Sequence, residues 1–137
     1  MRKLNVLIVD DEKSIVEILS RIVNENSNYK CDGCGSGEEA VVLVEKNNYD
    51  VVITDRKMAG LDGIEVLKRV KKIKPETEVV ILTGFASMKN LVEAMKFEAF
   101  DYIQKPFRAE NILSVLSKIA KMKDIIDGEE VESKNCK

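Results

Sequence analysis

The sequence contains no histidine and only three cysteines, which removes several common chemistries at once. Cys31 and Cys34 form a CxxC pair, but a zinc site needs two further ligands, and Cys136 stands alone near the end of the chain. Three cysteines also argue against a disulfide framework. We therefore interpret Cys31 and Cys34 as small buried residues of a short strand, with a redox pair as the alternative.

Long apolar runs and basic stretches are also missing. No run approaches the ~20 apolar residues that a membrane-spanning helix requires. The apolar run after Met1-Arg2-Lys3 stops at Asp10-Asp11, which is too short for a signal peptide. The net charge is −2 and acids alternate with bases, so there is no electrostatic basis for nucleic-acid binding. We expect a cytoplasmic chain that binds neither membranes nor nucleic acid directly.

What the sequence does contain is a regular alternation of β-branched runs and amphipathic segments along 137 residues. Five such units predict one α/β domain: a doubly wound, five-stranded parallel sheet with helices on both faces. We place this domain at residues 1–123. From residue 124 to residue 137 the periodicity is lost, and we interpret this segment as a polar tail or a truncated linker.

Two local patterns help to place the helices. Ser36 and Glu39 have the spacing of a capping box, in which each side chain satisfies a backbone N–H of the other residue. An apolar stripe marks the fourth helix. Its members are Met88, Leu91, Val92 and Met95.

Polar side chains follow four of the apolar runs, at the point where each predicted strand ends. These residues are Asp10, Asp11, Asp55, Thr83, Gly84 and Lys105. Because the carboxyl ends of parallel strands meet at one edge of a sheet, we expect these side chains to lie close together. Clustered carboxylates with one lysine suit a divalent cation such as Mg²⁺ and a phosphoryl group. A carboxylate can also act as the nucleophile that forms an aspartyl phosphate.

Each of these residues also has a simpler explanation. Asp11 precedes a predicted helix and would favour its N-terminus as a cap. Lys105 would be an ordinary solvated lysine. Neither explanation accounts for Asp55, which ends a wholly apolar strand and is followed by two bases.

Four motifs together resemble those of the response-regulator receiver domain of two-component signal transduction. They are VLIVDDE at Val6–Glu12, VVITDRKMAGLDG at Val51–Gly63, VVILTG at Val79–Gly84 and FDYIQKPF at Phe100–Phe107. The resemblance covers residues 3–123, and the run Thr83–Phe107 is similar to receivers of enhancer-binding transcription activators. It implies a flavodoxin-like sheet with strand order 2-1-3-4-5.

The resemblance also implies a role for each acid and for the lysine. Asp55 would accept the phosphoryl group. Asp10, Asp11 and Asp55, with the backbone carbonyl of Lys57, would bind Mg²⁺. Lys105 would hold a phosphoryl oxygen.

Three further residues would transmit the result of phosphorylation. Thr83 would move toward the phosphoryl group, Tyr102 would change rotamer with it, and the backbone N–H of Gly84 would add a donor. The face of the fourth helix, fifth strand and fifth helix would then control an output domain or partner, including a homodimer. The phosphodonor would be a sensor histidine kinase or a phosphotransfer protein. We expect a signalling domain that assists its own phosphorylation, with no enzymatic role toward other molecules.

Two alternatives stay open at this point. A degenerate receiver would keep the fold and act as a phosphate-independent interaction module. A phosphatase with an aspartate nucleophile would usually carry a second aspartate where Lys57 stands. One departure from the family pattern also predicts local strain: Glu98 occupies a position where glycine often ends the fourth helix.

Overall fold

The computed structural model describes residues 2–85 and 87–124, which form alternating strands and helices. The elements, in chain order, are β1 Leu4–Val9, α1 Lys13–Asn24, β2 Tyr29–Cys34, α2 Gly37–Lys46, β3 Val51–Asp55, α3 Gly63–Ile73, β4 Glu78–Thr83, α4 Met88–Lys96, β5 Asp101–Gln104 and α5 Ala109–Met122.

The five strands form one sheet in the order β2-β1-β3-β4-β5, and every neighbouring pair is parallel. This confirms the doubly wound α/β architecture and the 2-1-3-4-5 order. The chain leaves β1 toward one edge to form β2 and then crosses back to β3 on the other side of β1. Ligands of open α/β sheets bind beyond the carboxyl ends of the strands at such a reversal.

Strand alternation divides the apolar side chains between two cores, one on each face of the sheet. Ile8 of β1 contributes to the core beneath α1 and α5, whereas its neighbour Leu7 contributes to the core beneath α2, α3 and α4. Both faces of the central strands are therefore covered, which explains why their sequences are continuously apolar. The helices supply the second half of each core, chiefly through Leu19, Val23, Leu116 and Ile119 on one face and Val44, Leu67 and Val70 on the other.

The predicted capping box at α2 forms only in part. The Ser36 hydroxyl accepts a hydrogen bond from the Glu39 N–H at 3.1 Å, as predicted. The Glu39 carboxylate, however, accepts from the N–H of Gly35 at 3.2 Å rather than from that of Ser36. The chain enters α2 with extended backbone at Ser36, and this places the preceding N–H within reach of the carboxylate.

The apolar stripe on α4 faces solvent for most of its length. Met88, Val92 and Met95 are exposed, and among the described residues of this helix only Ala94 is buried. The stripe correctly predicted a helix, but it does not mark the side that packs on the sheet. The small side chain of Ala94 makes the buried contact with the core beneath α2, α3 and α4 instead.

The two cysteines of β2 point to opposite faces of the sheet because they are three residues apart on a strand. Cys34 is buried in the core beneath α2, α3 and α4, whereas Cys31 packs against the other core and is only half-buried. The interpretation of both as buried residues is therefore wrong for Cys31. The redox alternative loses its basis, because the two sulfurs cannot meet across the sheet.

Glu98 ends α4 in the left-handed region, with φ of 70°, which confirms the predicted strain. Its N–H donates to the Met95 carbonyl, and the following Ala99 N–H donates to the Ala94 carbonyl at 3.0 Å. These bonds close the last turn of the helix in the manner that usually favours glycine. A side chain in this conformation costs about 1 kcal/mol relative to glycine.

The last described helix, α5, ends at Met122, one residue before the predicted end of the domain. The tail predicted over residues 124–137 lies almost wholly outside the described residues, so it stays a prediction. Within residues 2–85 and 87–124, no helix is both long enough and apolar enough to cross a membrane.

Candidate functional site

The strand ends do bring the predicted polar residues to one edge of the sheet. Asp10 directly follows β1, Asp55 is the last residue of β3, Thr83 is the last residue of β4, and Lys105 directly follows β5. Backbone hydrogen bonds align these ends: the Lys105 N–H donates to the Thr83 carbonyl at 2.7 Å. The site therefore lies on rigid strand termini at the reversal of the sheet.

Lys105 makes ion pairs with two of the three acids. Its Nζ lies 3.1 Å from Oδ1 of Asp55 and 3.4 Å from Oδ2 of Asp10. Burial alone would lower the pKa of Lys105, but the hydrogen bond and charge attraction of Asp55, reinforced by Asp10, outweigh burial and raise its pKa. The lysine is therefore held as a cation between two carboxylates. Its peptide bond to Pro106 is cis.

Asp10 is the most deeply buried of the acids, with 2% of its surface exposed. Burial raises the pKa of its carboxyl group, and the negative charge of Asp55 raises it further. Two interactions oppose this rise in pKa without cancelling it. The Glu12 N–H donates to Oδ1 of Asp10 at 2.9 Å, and Lys105 places a positive charge nearby. The ionised carboxylate of Asp10 is thus under-compensated, a situation that a bound cation would relieve.

The geometry of three acids fits a metal ion. Oxygen atoms of Asp10, Asp11 and Asp55 lie within 4.8 Å of one another, and Asp11 is exposed to solvent. Hard carboxylate oxygens on a partly open site are the donor set that Mg²⁺ uses while keeping several waters. The capping alternative for Asp11 finds no support, since α1 begins after Glu12 without a side-chain capping bond.

The Thr83 hydroxyl is buried and turned into its own loop. Oγ1 donates to the Phe85 carbonyl at 3.0 Å and accepts from the Phe85 N–H at 3.2 Å. Gly84 between them is exposed, and nothing lies within 4 Å of the position where a β-carbon would sit. The structure thus places Thr83 at the site edge with its hydroxyl bound to the β4–α4 loop.

Tyr102 lies on β5 with a half-buried side chain that packs against the core beneath α2, α3 and α4. Its hydroxyl oxygen is buried, and it has no hydrogen-bond partner within residues 2–85 and 87–124. The ring borders a cleft of about 300 Å³ between β5 and the start of α4. The other residues lining this cleft are Ser87, Met88, Leu91 and Gln104.

Two basic residues, Arg56 and Lys57, directly follow Asp55 in the chain. Lys57 is exposed and lies in the loop between β3 and α3. The resemblance assigns its backbone carbonyl to metal binding. Arg56 was missed by the sequence analysis: its Nη2 donates to the Asn90 Oδ1 of α4 at 3.0 Å, and its Nε is buried without a partner among the described residues. A charged residue directly after a buried strand was the available signal.

Comparison with known proteins bears directly on this arrangement. The family model of the response regulator receiver domain matches residues 6–117, which is most of the chain. The chain belongs to this family. Phosphoaspartate and Mg²⁺ are general features of receiver domains, which serve two-component signalling as parts of regulators rather than as enzymes of metabolism.

Two curated relatives illustrate the range of proteins that share this domain. The chain is 35% identical over 126 residues to transcriptional regulatory protein ZraR of Escherichia coli O157:H7, covering 92% of this chain but only 28% of ZraR. It is 32% identical over 118 residues to sporulation initiation phosphotransferase F of Bacillus subtilis, covering 86% of this chain and 94% of that protein. The chain thus spans about a quarter of the first relative and nearly all of the second.

Solved structures agree with the fold. The receiver domain of the Francisella response regulator 1452 superposes with a TM-score of 0.82 at 33% identity, covering 88% of this chain and 99% of that one. A receiver domain from Clostridium thermocellum gives a TM-score of 0.80 at 32% identity, with 88% and 97% covered.

Proposed function

We propose that this domain is a phosphorylation-dependent switch in which Asp55 accepts a phosphoryl group. The observation that carries the proposal is the pairing of Asp55 with Lys105 at 3.1 Å, beside the under-compensated carboxylate of Asp10. The phosphodonor is a phosphohistidine of a sensor histidine kinase or of a phosphotransfer protein. The membership of the family supports this donor class, and the net charge of −2 gives no reason to invoke nucleic acid.

Mg²⁺ is the cofactor that the acids fit best. Asp10, Asp11 and Asp55, with the backbone carbonyl of Lys57, would hold it. When bound, the ion neutralises negative charge that gathers on the phosphoryl oxygens during transfer.

The transfer itself is an exchange of one bond for another. An Oδ atom of Asp55 attacks phosphorus in line, the new O–P bond forms, and the P–N bond to the donor imidazole breaks. The imidazole leaves with the electron pair and takes a proton from solvent. Lys105 offers its ammonium group to a phosphoryl oxygen, so its ion pair with Asp55 is exchanged for one with the phosphoryl group.

The phosphoryl group then acts on the β4–α4 loop. Its oxygens attract the Thr83 hydroxyl away from Phe85, and Gly84 adds a backbone donor. Tyr102 follows into the space that Thr83 vacates, and its hydroxyl, which has no partner among the described residues, gains one. The face built from α4, β5 and α5 changes as a result.

This face is suited to contact another protein. Phe85 and Met88 are 76% and 74% exposed, and Val92 and Met95 extend the apolar surface along α4. We infer that it controls an output domain or a partner, in a cytoplasmic regulator of transcription, and that a phosphorylated homodimer uses the same face. The similarity to ZraR supports the transcriptional role.

The chain has all three acids, Asp10, Asp11 and Asp55, together with Lys105. This complete set disfavours a degenerate receiver that acts as a phosphate-independent module. A phosphatase is disfavoured too, because Lys57 replaces the second aspartate and its side chain is exposed.

The proposal is tested with a small phosphodonor such as acetyl phosphate and Mg²⁺, followed by intact mass measurement. We expect a gain of about 80 Da, one phosphoryl group, that disappears in Asp55→Ala. The matched control is Asp32→Ala, an exposed carboxylate on β2, which should still be modified. Equal modification of wild type and Asp55→Ala would refute the assignment of Asp55.

A further inference from the structure

The loop between β3 and α3, residues 56–62, determines where the Lys57 carbonyl lies relative to Asp55. Its two ends are tied down: the Arg56 N–H donates to the Leu82 carbonyl at 2.8 Å, and the Gly63 N–H donates to the Arg56 carbonyl at 2.9 Å. Met58 adds an apolar anchor, since its side chain is buried in the core beneath α2, α3 and α4. The tip of the loop, residues 59–61, lies outside these ties.

A side chain from a different element holds the tip. The Leu61 N–H donates to Oε2 of Glu38, in the first turn of α2, at 3.1 Å. Within the described part of the chain, this is the one hydrogen bond made by any residue from 57 to 61.

Two glycines make the contact between α2 and the loop close. Gly60 has φ of 76°, and a β-carbon there would lie 2.5 Å from Oε2 of Glu38. Gly37, which precedes Glu38, would place a β-carbon 2.5 Å from the Leu61 carbonyl oxygen. The carboxylate thus occupies the space that a side chain at position 60 would need. This steric fit is independent of the hydrogen bond and identifies the same pair of segments.

We propose that Glu38 is a positioning residue for metal binding: by fixing Leu61, it holds the loop that carries the Lys57 carbonyl. The inference rests on the proposed function, because it assigns that carbonyl to the Mg²⁺ site. Within the hydrogen bonds and ion pairs of the described residues, Glu38 itself contacts none of Asp10, Asp11 and Asp55. Glu38 therefore acts on the position of the Lys57 carbonyl oxygen. A loop that is already fixed presents this oxygen to Mg²⁺ without an entropic cost on binding.

Three variants of the full chain distinguish the effect of side-chain length at position 38 from the effect of its charge. Glu38→Gln keeps the length and an acceptor oxygen but removes the charge. Glu38→Asp keeps the charge but is shorter by one methylene, and Glu38→Ala loses both. Glu45→Ala is the matched control, because Glu45 is an exposed acid farther along the same helix. Mg²⁺ affinity is measured by calorimetry, exchange of the Leu61 amide hydrogen is measured without metal, and thermal unfolding verifies the fold.

We expect Glu38→Ala and Glu38→Asp to bind Mg²⁺ about fivefold more weakly, the equivalent of one hydrogen bond, and to exchange the Leu61 amide faster by a similar factor. Glu38→Gln and Glu45→Ala should stay within about twofold of wild type. Unchanged affinity and exchange in Glu38→Ala would overturn the proposal. So would weak binding in Glu38→Gln with normal binding in Glu38→Asp, since that pattern identifies an effect of charge.

If the proposed function is wrong, the measurements differ from those that refute the role of Glu38. In that case the wild-type chain neither binds Mg²⁺ nor gains a phosphoryl group at Asp55. The exchange rate of the Leu61 amide still tests whether Glu38 fixes the loop.

Discussion

Thr83 and Phe85 are joined by two hydrogen bonds, one in each direction, through the same hydroxyl group. Oγ1 donates to the Phe85 carbonyl at 3.0 Å and accepts from its N–H at 3.2 Å. The hydroxyl that would meet a phosphoryl oxygen is therefore held by the β4–α4 loop. Moving it toward Asp55 requires breaking at least one of these bonds, so the loop must rearrange when Thr83 moves.

Replacing Thr83 with alanine should uncouple this loop from Asp55. We expect the free energy of unfolding to fall by about 1–2 kcal/mol, because two hydrogen bonds of a buried hydroxyl are lost. Phosphorylation of Asp55 should persist, while the chemical-shift changes of α4 amides on adding beryllofluoride should largely vanish. Thr83→Ser, which keeps the hydroxyl, is the control. Full α4 responses in Thr83→Ala would contradict the coupling.

Lys105 should oppose Mg²⁺ binding while promoting phosphoryl transfer. Its ammonium group lies 3.1 Å from Asp55 and 3.4 Å from Asp10, two of the acids proposed to bind the metal, so an incoming cation meets its positive charge. We expect Lys105→Ala to bind Mg²⁺ several-fold more tightly and to be phosphorylated about 100-fold more slowly. Titration calorimetry and the rate of mass gain measure the two effects. Lys118→Ala, an exposed lysine on α5, should change neither; weaker Mg²⁺ binding in Lys105→Ala would refute the argument.

Asp10→Asn should stabilise the metal-free protein. Burial and the charge of Asp55 raise the pKa of Asp10, so its ionised form is disfavoured in the folded state relative to the unfolded state. A neutral amide removes that cost and keeps an oxygen for the Glu12 N–H. We expect the free energy of unfolding in urea to rise in the absence of metal and the stabilisation by Mg²⁺ to disappear.

Asp11→Asn is the comparison for this experiment. Asp11 is exposed, so its metal-free stability should change by less than about 0.5 kcal/mol. A drop in the metal-free stability of Asp10→Asn would show that Lys105 compensates the carboxylate fully.

Replacing Gly63 or Gly84, two glycines near the site, with alanine should change the free energy of unfolding in opposite directions. A β-carbon at Gly63 would lie 2.4 Å from the Asp55 carbonyl oxygen and 2.8 Å from the Arg56 Cα, and backbone cannot yield easily. We expect Gly63→Ala to lose about 1–3 kcal/mol. At Gly84 a β-carbon meets nothing within 4 Å, so Gly84→Ala should gain about 0.4–1 kcal/mol by restricting the unfolded chain. Urea unfolding distinguishes the two, and similar values for both variants would contradict the steric account.

The buried thiol of Cys34 should be unreactive in the folded protein. Burial raises its pKa to about 11, so about one thiol in a thousand is ionised at pH 8. We expect iodoacetamide to modify Cys34 only after unfolding in guanidinium, as peptide mapping would show. Because the folded pKa exceeds the ordinary value of 9.0, the contribution of this thiol to stability is present below pH 9 and declines as the pH rises through about 11. Labelling of folded protein at pH 8 would contradict this.

The sequence predicted the clustering of polar residues at one sheet edge better than it predicted the burial of individual apolar residues. Asp55 was identified because it ends a run of β-branched residues, and its pairing with Lys105 follows from the convergence of parallel strand ends. The α4 stripe correctly predicted a helix but could not show which side is buried, because exposed and buried apolar residues have the same helical spacing. Cys31 misled for a similar reason, since a strand at the edge of a sheet leaves part of one face uncovered.

By itself, the sequence determined that carboxylates and a lysine lie at one edge of a parallel sheet, because side-chain period and strand direction are local properties. The strand order came from the family resemblance, and the pairing of the strands confirmed it. Tertiary structure alone decided that the Thr83 hydroxyl binds Phe85, that Arg56 reaches Asn90 and that Glu38 holds Leu61. Arg56 and Asn90 are 34 residues apart in the chain, and Glu38 and Leu61 are 23 residues apart, so both contacts depend on how the elements pack. The Thr83–Phe85 contact depends on the path of a loop. The periodicity of the sequence predicts neither packing nor loop path.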